Sequence, residues 1–300
     1  MDNFVNILFN GLSLSSIILL TSLGLSITFG LMGVINMAHG EFVMIGAYMT
    51  FVTQQIFAKI LPPDIQSLYY VFAIPVAFLS AYGIGIVLEK VVISRLYGRE
   101  IDSLLATWGV SLILQQGART IFGAQGVNVN APSFLQGGAK IGNCTFSYNR
   151  VFIILLVACC LAFVWLVMNK SNFGKQMRAT MQNRAMAQCM GINSRKVDCT
   201  TFALGSGLAG IAGCSIALLG SIDSTVGQSY IVNSFMAVVL GGVGNLTGTV
   251  IGSSIIGFSS IFTENFTSST IAKAIVLIIV ILFLQKKPQG LFVIKSRNLD

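Results

Sequence analysis

A chain of 300 residues that is 54% hydrophobic and only 9% charged lacks the polar surface of a water-facing domain, where about a quarter of residues are charged. It reads as an integral membrane protein. Its 18 Lys and Arg against 10 Asp and Glu give a net charge of +8, but the basic residues cluster between apolar runs, so the excess marks membrane orientation and not nucleic-acid binding.

A spanning helix needs about 20 mainly apolar residues. The first candidate, 5–30, has no basic segment before it and no small-residue cleavage site before Gly24, so it is read as a helix and not a signal peptide. A polar cluster follows, Asn36-Met37-Ala38-His39-Gly40-Glu41. His39 and Glu41 could form a proton relay or a metal pair. The second reading is weakened because His39 is the only histidine. The plainer reading is that Asn36, His39 and Glu41 cap and cross-link helix ends, with Glu41 in a first turn where the helix dipole favours a carboxylate.

The spans 39–58, 70–88 and 103–122 come next, the last carrying Thr107, Gln115 and Gln116. Such groups in hydrocarbon bond between helices or line a wet path. The connection 123–149 holds Asn128, Asn130, Pro132, Gly137, Gly138 and Asn143, whose turn chemistry predicts an ordered external loop or short ribbon. After the span 150–168, the loop 169–196 contains a short amphipathic helix. Met177, Met181 and Ala185 fall on one stripe, Arg178 and Arg184 lie off it, and Gly191 is a natural stop. Met and Ala in place of bulky anchors favour a protein groove over lipid.

The spans 197–219, 231–246, 248–262 and 271–285 complete the bundle. The stretch 231–262 is too long for one helix and is interrupted by Gly241, Gly242 and Gly244, so it is read as two short or tilted segments. Gly244, Gly248 and Gly252 stand four apart, a spacing that places them on one close-packing face. Gly-rich runs at 24–33 and 205–213 hint at an internal repeat, on which nothing further is built.

Lysine and arginine fix the orientation. Segment 89–102 (Lys90, Arg95, Arg99), segment 169–196 (Lys170, Lys175, Arg178, Arg184, Arg195, Lys196) and the tail (Lys286, Lys287, Lys295, Arg297) should all be cytoplasmic. The N-terminus then lies outside. The fold class is all-α: a polytopic transmembrane bundle of eight or nine spans, one domain over 1–300, with a cytoplasmic helix at about 169–196. Cys159, Cys160 and Cys214 lie in apolar runs, Cys189 and Cys199 flank the basic loop, and Cys144 stands alone outside, so no disulfide framework, metal site or cofactor is expected. No phosphate loop or catalytic constellation occurs, so the chain is not read as an enzyme and any ATP hydrolysis falls to another subunit.

The runs Gly33-Val34-Ile35-Asn36-Met37-Ala38-His39-Gly40-Glu41, Arg178-Ala179 with Met190-Gly191-Ile192-Asn193, Val239-Leu240-Gly241-Gly242-Val243-Gly244-Asn245 with Gly248, and Pro288-Gln289-Gly290-Leu291-Phe292 resemble the permeases of branched-chain amino acid importers. Three further stretches are similar to the urea-importer branch: Leu104 to Leu114, Ile121 to Gln125, and Gly227 to Val232 with Phe235-Met236. Asn233 stands where that branch is expected to have an acid.

The resemblance implies a bacterial inner-membrane importer. In it this permease pairs with a second, related permease, two ATPase subunits and an external solute-binding protein, and the loop 173–193 is the coupling helix docking on an ATPase. Urea is small, neutral and planar, and its path needs amides, hydroxyls and backbone groups. Asn36, Thr107, Gln115, Gln228, Asn233 and Asn245 suit it, with His39 and Glu41 at the junction. A passive channel would conduct without partners, and a proton-coupled transporter would depend on His39 and Glu41.

Overall fold

The computed structural model describes residues 2–60, 62, 66–141 and 144–292. Lys295, Arg297 and Asn143 lie outside the described residues. The described chain is mostly helical, with eleven α-helices: α1 (Asp2–Met32), α2 (His39–Ile60), α3 (Tyr69–Val91), α4 (Glu100–Phe122), α5 (Tyr148–Lys170), α6 (Asn172–Gln182), α7 (Arg184–Cys189), α8 (Ser194–Ile216), α9 (Val226–Gly241), α10 (Leu246–Glu264) and α11 (Ser269–Lys286). Each of the nine apolar segments read from the sequence coincides with a helix. Six of these helices, α1, α3, α5, α8, α10 and α11, are long and apolar enough to cross a membrane. Glu41, Gln54 and Gln55 dilute the apolar character of α2, while α9 has only 16 residues.

Residues 138–147 form the short ribbon expected in the long connection. Strands β1 (Gly138–Ile141) and β2 (Cys144–Ser147) pair antiparallel, with Gly138 opposite Ser147. The break within 231–262 also occurs, but earlier than the sequence suggested. Residues 242–245 form the turn, in which Gly242 (φ 106°) and Gly244 (φ 78°) adopt left-handed backbone conformations that side chains disfavour. Gly244 therefore belongs to the turn and not to the helical face of Gly248 and Gly252. The run Gly290-Leu291-Phe292 folds back over this turn: Leu291 N–H donates to the Leu240 carbonyl at 2.9 Å and Phe292 N–H to that of Gly241 at 3.1 Å. Those bonds satisfy carbonyls that a helix end leaves open.

Apolarity and position run in opposite directions. Helix α5 has mean hydropathy 3.1 and only 22% of its most apolar stretch is buried, whereas α8 has mean hydropathy 1.4 and 83% of that stretch is buried. Lipid tails solvate Leu and Phe as well as a protein interior does, so helices in a bilayer gain by close backbone approach and polar bonds, not by hiding apolar side chains. The central helices are accordingly rich in small residues, α1 in Gly, Ser and Thr and α8 in Gly, Ala, Ser and Thr, while Leu155, Phe163, Trp165 and Leu166 of α5 point outward. A Cβ on Gly24 would stand 2.3 Å from the Gly205 carbonyl oxygen, and one on Gly205 would stand 2.7 Å from that of Gly24. This reciprocity brings the two backbones into contact.

The same reciprocity recurs between α2 and α9, where Cβ atoms on Gly40 and Gly227 would lie 2.7 and 2.0 Å from each other's carbonyl oxygens. Four residues before each glycine, an Asx turn opens the helix. Asn36 Oδ1 accepts from Ala38 N–H, and Asp223 Oδ1 accepts from Thr225 N–H, both at 3.0 Å. The units α1–turn–α2 and α8–turn–α9 thus share an Asx turn with a close-packed glycine four residues on, and α4 touches the two turns near its opposite ends. Near its start, Thr107 Oγ1 accepts from Met37 N–H of the first turn (3.1 Å); near its end, Arg119 Nε donates to Ser224 Oγ of the second (2.8 Å). Those α4 positions are twelve residues apart, about 18 Å along a helix. Units placed in opposite senses about a shared contact recur in transporters.

The close face on α10 leads to a stability prediction. A Cβ on Gly248 would sit 2.2 Å from the Gly241 carbonyl oxygen, whereas one on Gly83 of α3 would meet nothing within 4 Å. Gly248→Leu should destabilise the detergent-solubilised protein by at least the ~1–3 kcal/mol typical of overpacking. Gly83→Ala should be neutral or stabilise by up to ~1 kcal/mol through helix propensity. Thermal unfolding of the two variants checks both, and equal midpoints would contradict the packing argument.

Candidate functional site

The α1–α2 junction is built from polar side chains that face different helices. Asn36 has its Oδ1 committed to the Asx turn, which fixes the chain entering α2. One turn on, His39 is buried and its Nε2 lies 3.1 Å from the Thr21 carbonyl of α1. Glu41, equally buried, faces the other way: its Oε1 accepts from Ser111 Oγ at 2.8 Å and from Gln115 Nε2 at 2.7 Å, both on α4. Gln115 Nε2 also donates to Ser111 Oγ at 3.0 Å. His39 and Glu41 therefore do not bond each other, which removes the geometric basis for a direct proton relay between them. They pin α2 to two different neighbours.

Three buried polar atoms at this junction have no hydrogen-bond partner among the described residues: Asn36 Nδ2, His39 Nδ1 and Glu41 Oε2. Leaving such groups unpaired is costly in a low-dielectric interior. Of the eight path residues expected from sequence, the structure gathers five here, Asn36, His39, Glu41, Thr107 and Gln115. Ser111 joins them. It was missed because a lone serine in an apolar helix carries no signal, although it stands four residues before Gln115 and so on the same helix face.

The other three lie elsewhere. Gln228 is exposed and follows Gly227 as Glu41 follows Gly40, and Asn233 is buried further along α9. Asn245 is spent as the N-cap of α10, its Oδ1 accepting from Thr247 N–H (3.0 Å), Thr247 Oγ (2.6 Å) and Gly248 N–H (3.2 Å). It is a structural cap and not a path residue.

The loop after α5 differs from its expected form in two respects. It holds two helices, not one: Ser171 caps α6, and Asn183, whose Oδ1 accepts from Met186 N–H at 3.0 Å, caps α7. Gly191, at φ 84°, ends the element as expected. The methionine stripe, however, is turned inward. Met177 is buried and Met181 half-buried against the bundle, with Met181 beside Gly30 of α1. An amphipathic helix shows the same periodicity whichever way it faces, and here its apolar side seals the bundle. Arg178 donates to the Met168 carbonyl and Arg184 pairs with Asp198. The apolar side chains left exposed are Met186 (61%) and Met190 (77%), next to exposed Ala185.

An apolar helical bundle with buried polar side chains gathered at a helix junction is the architecture of a polytopic membrane protein. The family described as branched-chain amino acid transport system / permease component matches residues 7–284, and the chain belongs to it. It is 29% identical over 301 residues to the high-affinity branched-chain amino acid transport system permease protein LivH of Escherichia coli K12, covering 96% of this chain and 95% of that one. It is 26% identical over 297 residues to BraD of Pseudomonas aeruginosa, with the same coverage, and 28% over 292 residues to a probable LivH of Methanocaldococcus jannaschii, covering 92% and 89%. No solved structure matches.

The site geometry separates two substitutions. Glu41→Gln keeps an acceptor oxygen for Ser111 and Gln115, so uptake should fall by less than about threefold with an unchanged pH profile. Glu41→Leu removes two hydrogen bonds to a carboxylate, worth about 1.5–3 kcal/mol each, and should reduce uptake more than about tenfold. Uptake assays from pH 5.5 to 8.5 decide this, and abolition of uptake by Glu41→Gln at every pH would instead make Glu41 a proton carrier.

Proposed function

We propose that the chain is a transmembrane permease subunit of an ATP-driven importer in a bacterial inner membrane, crossing it nine times, and that its solute is urea delivered by an external binding protein. The observation that carries the permease reading is the contact of Gly40 with Gly227, each four residues after an Asx turn, with Glu41 and Gln228 one residue beyond it; the two units are read as inverted repeats. Transporters place solute at such repeat interfaces, where alternate exposure to the two sides is achieved by rocking one unit against the other. With α2, α4 and α9 counted as spans, the basic segments 89–102 and 169–196 fall on one side. The ribbon side of the chain falls on the other. There Val127 and Ile222 exchange backbone bonds of 2.9 and 2.8 Å, joining the long external loop to the second Asx turn.

The side chains at the junction support a small neutral amide. Glu41 Oε2 offers an acceptor and Asn36 Nδ2 a donor, both uncommitted and covered in this conformation. Uncovered, they complement the N–H and C=O groups of urea, and Gln228 and Asn233 extend the amide character onto α9. The runs similar to urea importers point the same way. A second reading, a branched-chain amino acid as solute, is favoured by the names of the relatives. Energy enters through α6–α7, where Ala185, Met186 and Met190 form the apolar surface offered to an ATPase subunit. A second permease, a second ATPase and the binding protein complete the assembly.

Uptake of labelled urea and labelled leucine into vesicles holding the assembled importer tests both solutes. ATP-dependent urea uptake, competed poorly by leucine, is expected; the reverse would establish the amino acid. Met186→Glu and Met190→Glu should leave the protein inserted yet lower ATP-driven uptake more than about tenfold, because docking would bury a charge without a partner. Cys189, exposed on α7, should react with an impermeant thiol reagent only after the cells are permeabilised. Labelling in intact cells would invert the topology.

A further inference from the structure

Beneath α6–α7, four segments of the chain meet in one polar knot. Arg184, the first residue of α7, donates to the carboxylate of Asp198 in the first turns of α8, and Asp198 is fully buried while Arg184 keeps part of its surface. The Arg184 guanidinium lies 5.0 Å from the centroid of the Tyr97 ring, a cation–π distance. The Tyr97 hydroxyl in turn donates to Glu89 Oε1 at 3.0 Å, in the last turn of α3, and Glu89 is buried as well. Asp198 Oδ1 has no hydrogen-bond partner among the described residues, so Arg184 carries the polar support that this carboxylate has.

The cation that pairs with Asp198 thus belongs to the loop, whereas the two carboxylates of the knot, Asp198 and Glu89, belong to the bundle. If α7 moves, Arg184 must either draw α8 with it or abandon a buried carboxylate, and an uncompensated buried charge is strongly unfavourable. The contacts of α6 are of another kind: Met177 and Met181 are flexible and apolar, and can slide over α1 at small cost. The knot is therefore the stiff part of the attachment. It ends on α8, the most buried of the six membrane-length helices and the one packed on α1 through Gly24 and Gly205.

We propose that Arg184 is a positioning residue through which displacement of the α6–α7 loop is passed to α8 and, by way of Tyr97, to α3, and so sets how many solute molecules move per ATP hydrolysed. This rests on the reading of α6–α7 as the ATPase-facing surface. It adds a specific linkage that the docking surface alone does not require.

The experiment uses the whole importer, purified through a tag on this chain and reconstituted in liposomes, with urea and leucine uptake and ATP hydrolysis measured in the same vesicles. Arg184→Gln is expected to lower the solute-to-ATP ratio about tenfold or more with hydrolysis within about twofold, since docking residues are untouched and only the ionic link is lost. Because that variant could also fail to fold around a lone Asp198 charge, the neutral pair Arg184→Gln/Asp198→Asn is the decisive one. It removes the buried charge and restores stability, and its transport ratio should remain low. Recovery of the ratio in the pair would overturn the proposal, reducing Arg184 to a counter-ion. Parallel loss of uptake and hydrolysis in the folded pair would overturn it too, by making the defect one of docking. ATP-independent uptake by the wild-type assembly would overturn the linkage and the importer reading together.

Discussion

Surrounded by lipid, an apolar side chain gains little by turning inward, so this bundle is organised by how closely its backbones approach. The contact of Gly24 with Gly205 sets that distance for α1 and α8, and everything central is arranged around the pair. Hydroxyls exploit the proximity. Thr21 meets Ser234, and Thr249 donates to Ser26 at 2.8 Å, bonds that link α1 to α9 and α10 across short gaps. A larger residue at either glycine would separate α1 from α8, while these hydroxyl bonds tie α1 to its other two neighbours.

Helix α4 obeys a different rule. Beside the apolar packing of Val110, Leu114, Ala118 and Phe122, it makes a series of polar ties: Thr107 with Met37, Ser111 and Gln115 with Glu41, Arg119 with Ser224. Its apolar residues Leu105, Trp108, Leu112 and Ile113 are exposed. A helix held by a few directional bonds at defined heights, and touching both Asx turns, registers the position of each unit. Glycine contacts resist motion through steric overlap, whereas hydrogen bonds of this sort can be exchanged one at a time. The rigid and the exchangeable parts of the bundle are therefore distinct in chemistry as well as in place.

Much of this was legible in the sequence. Apolar length located nine helices, turn residues located the ribbon at 138–147, and Gly242 and Gly244 marked a real break. The errors share a cause, which is that periodicity gives a face but not a direction. Met177 and Met181 form a true stripe, yet the same pattern describes a helix sealing a bundle and one offered to a partner. Asn245 looked like a path residue because a polar group near hydrocarbon invites function, whereas a helix start needs a cap just there. Gly244 kept the four-residue spacing of Gly248 and Gly252 but lies before the helix begins. The likeness of the two turns was not legible because they share an Asx turn and a glycine four residues on, not a run of similar side chains.

The fold-back of Gly290-Leu291-Phe292 over the α9–α10 turn bears on how the chain is made. During synthesis the carbonyls of Leu240 and Gly241 enter the membrane some fifty residues before the N–H groups that will engage them. Until α11 has been threaded, the end of α9 stays open. The strap is thus a closing step, and the protein acquires its finished form only when the ribosome has passed Phe292. A chain cut short before Gly290 would insert its helices and still leave that end unsealed, while an extension added after the strap would leave it undisturbed.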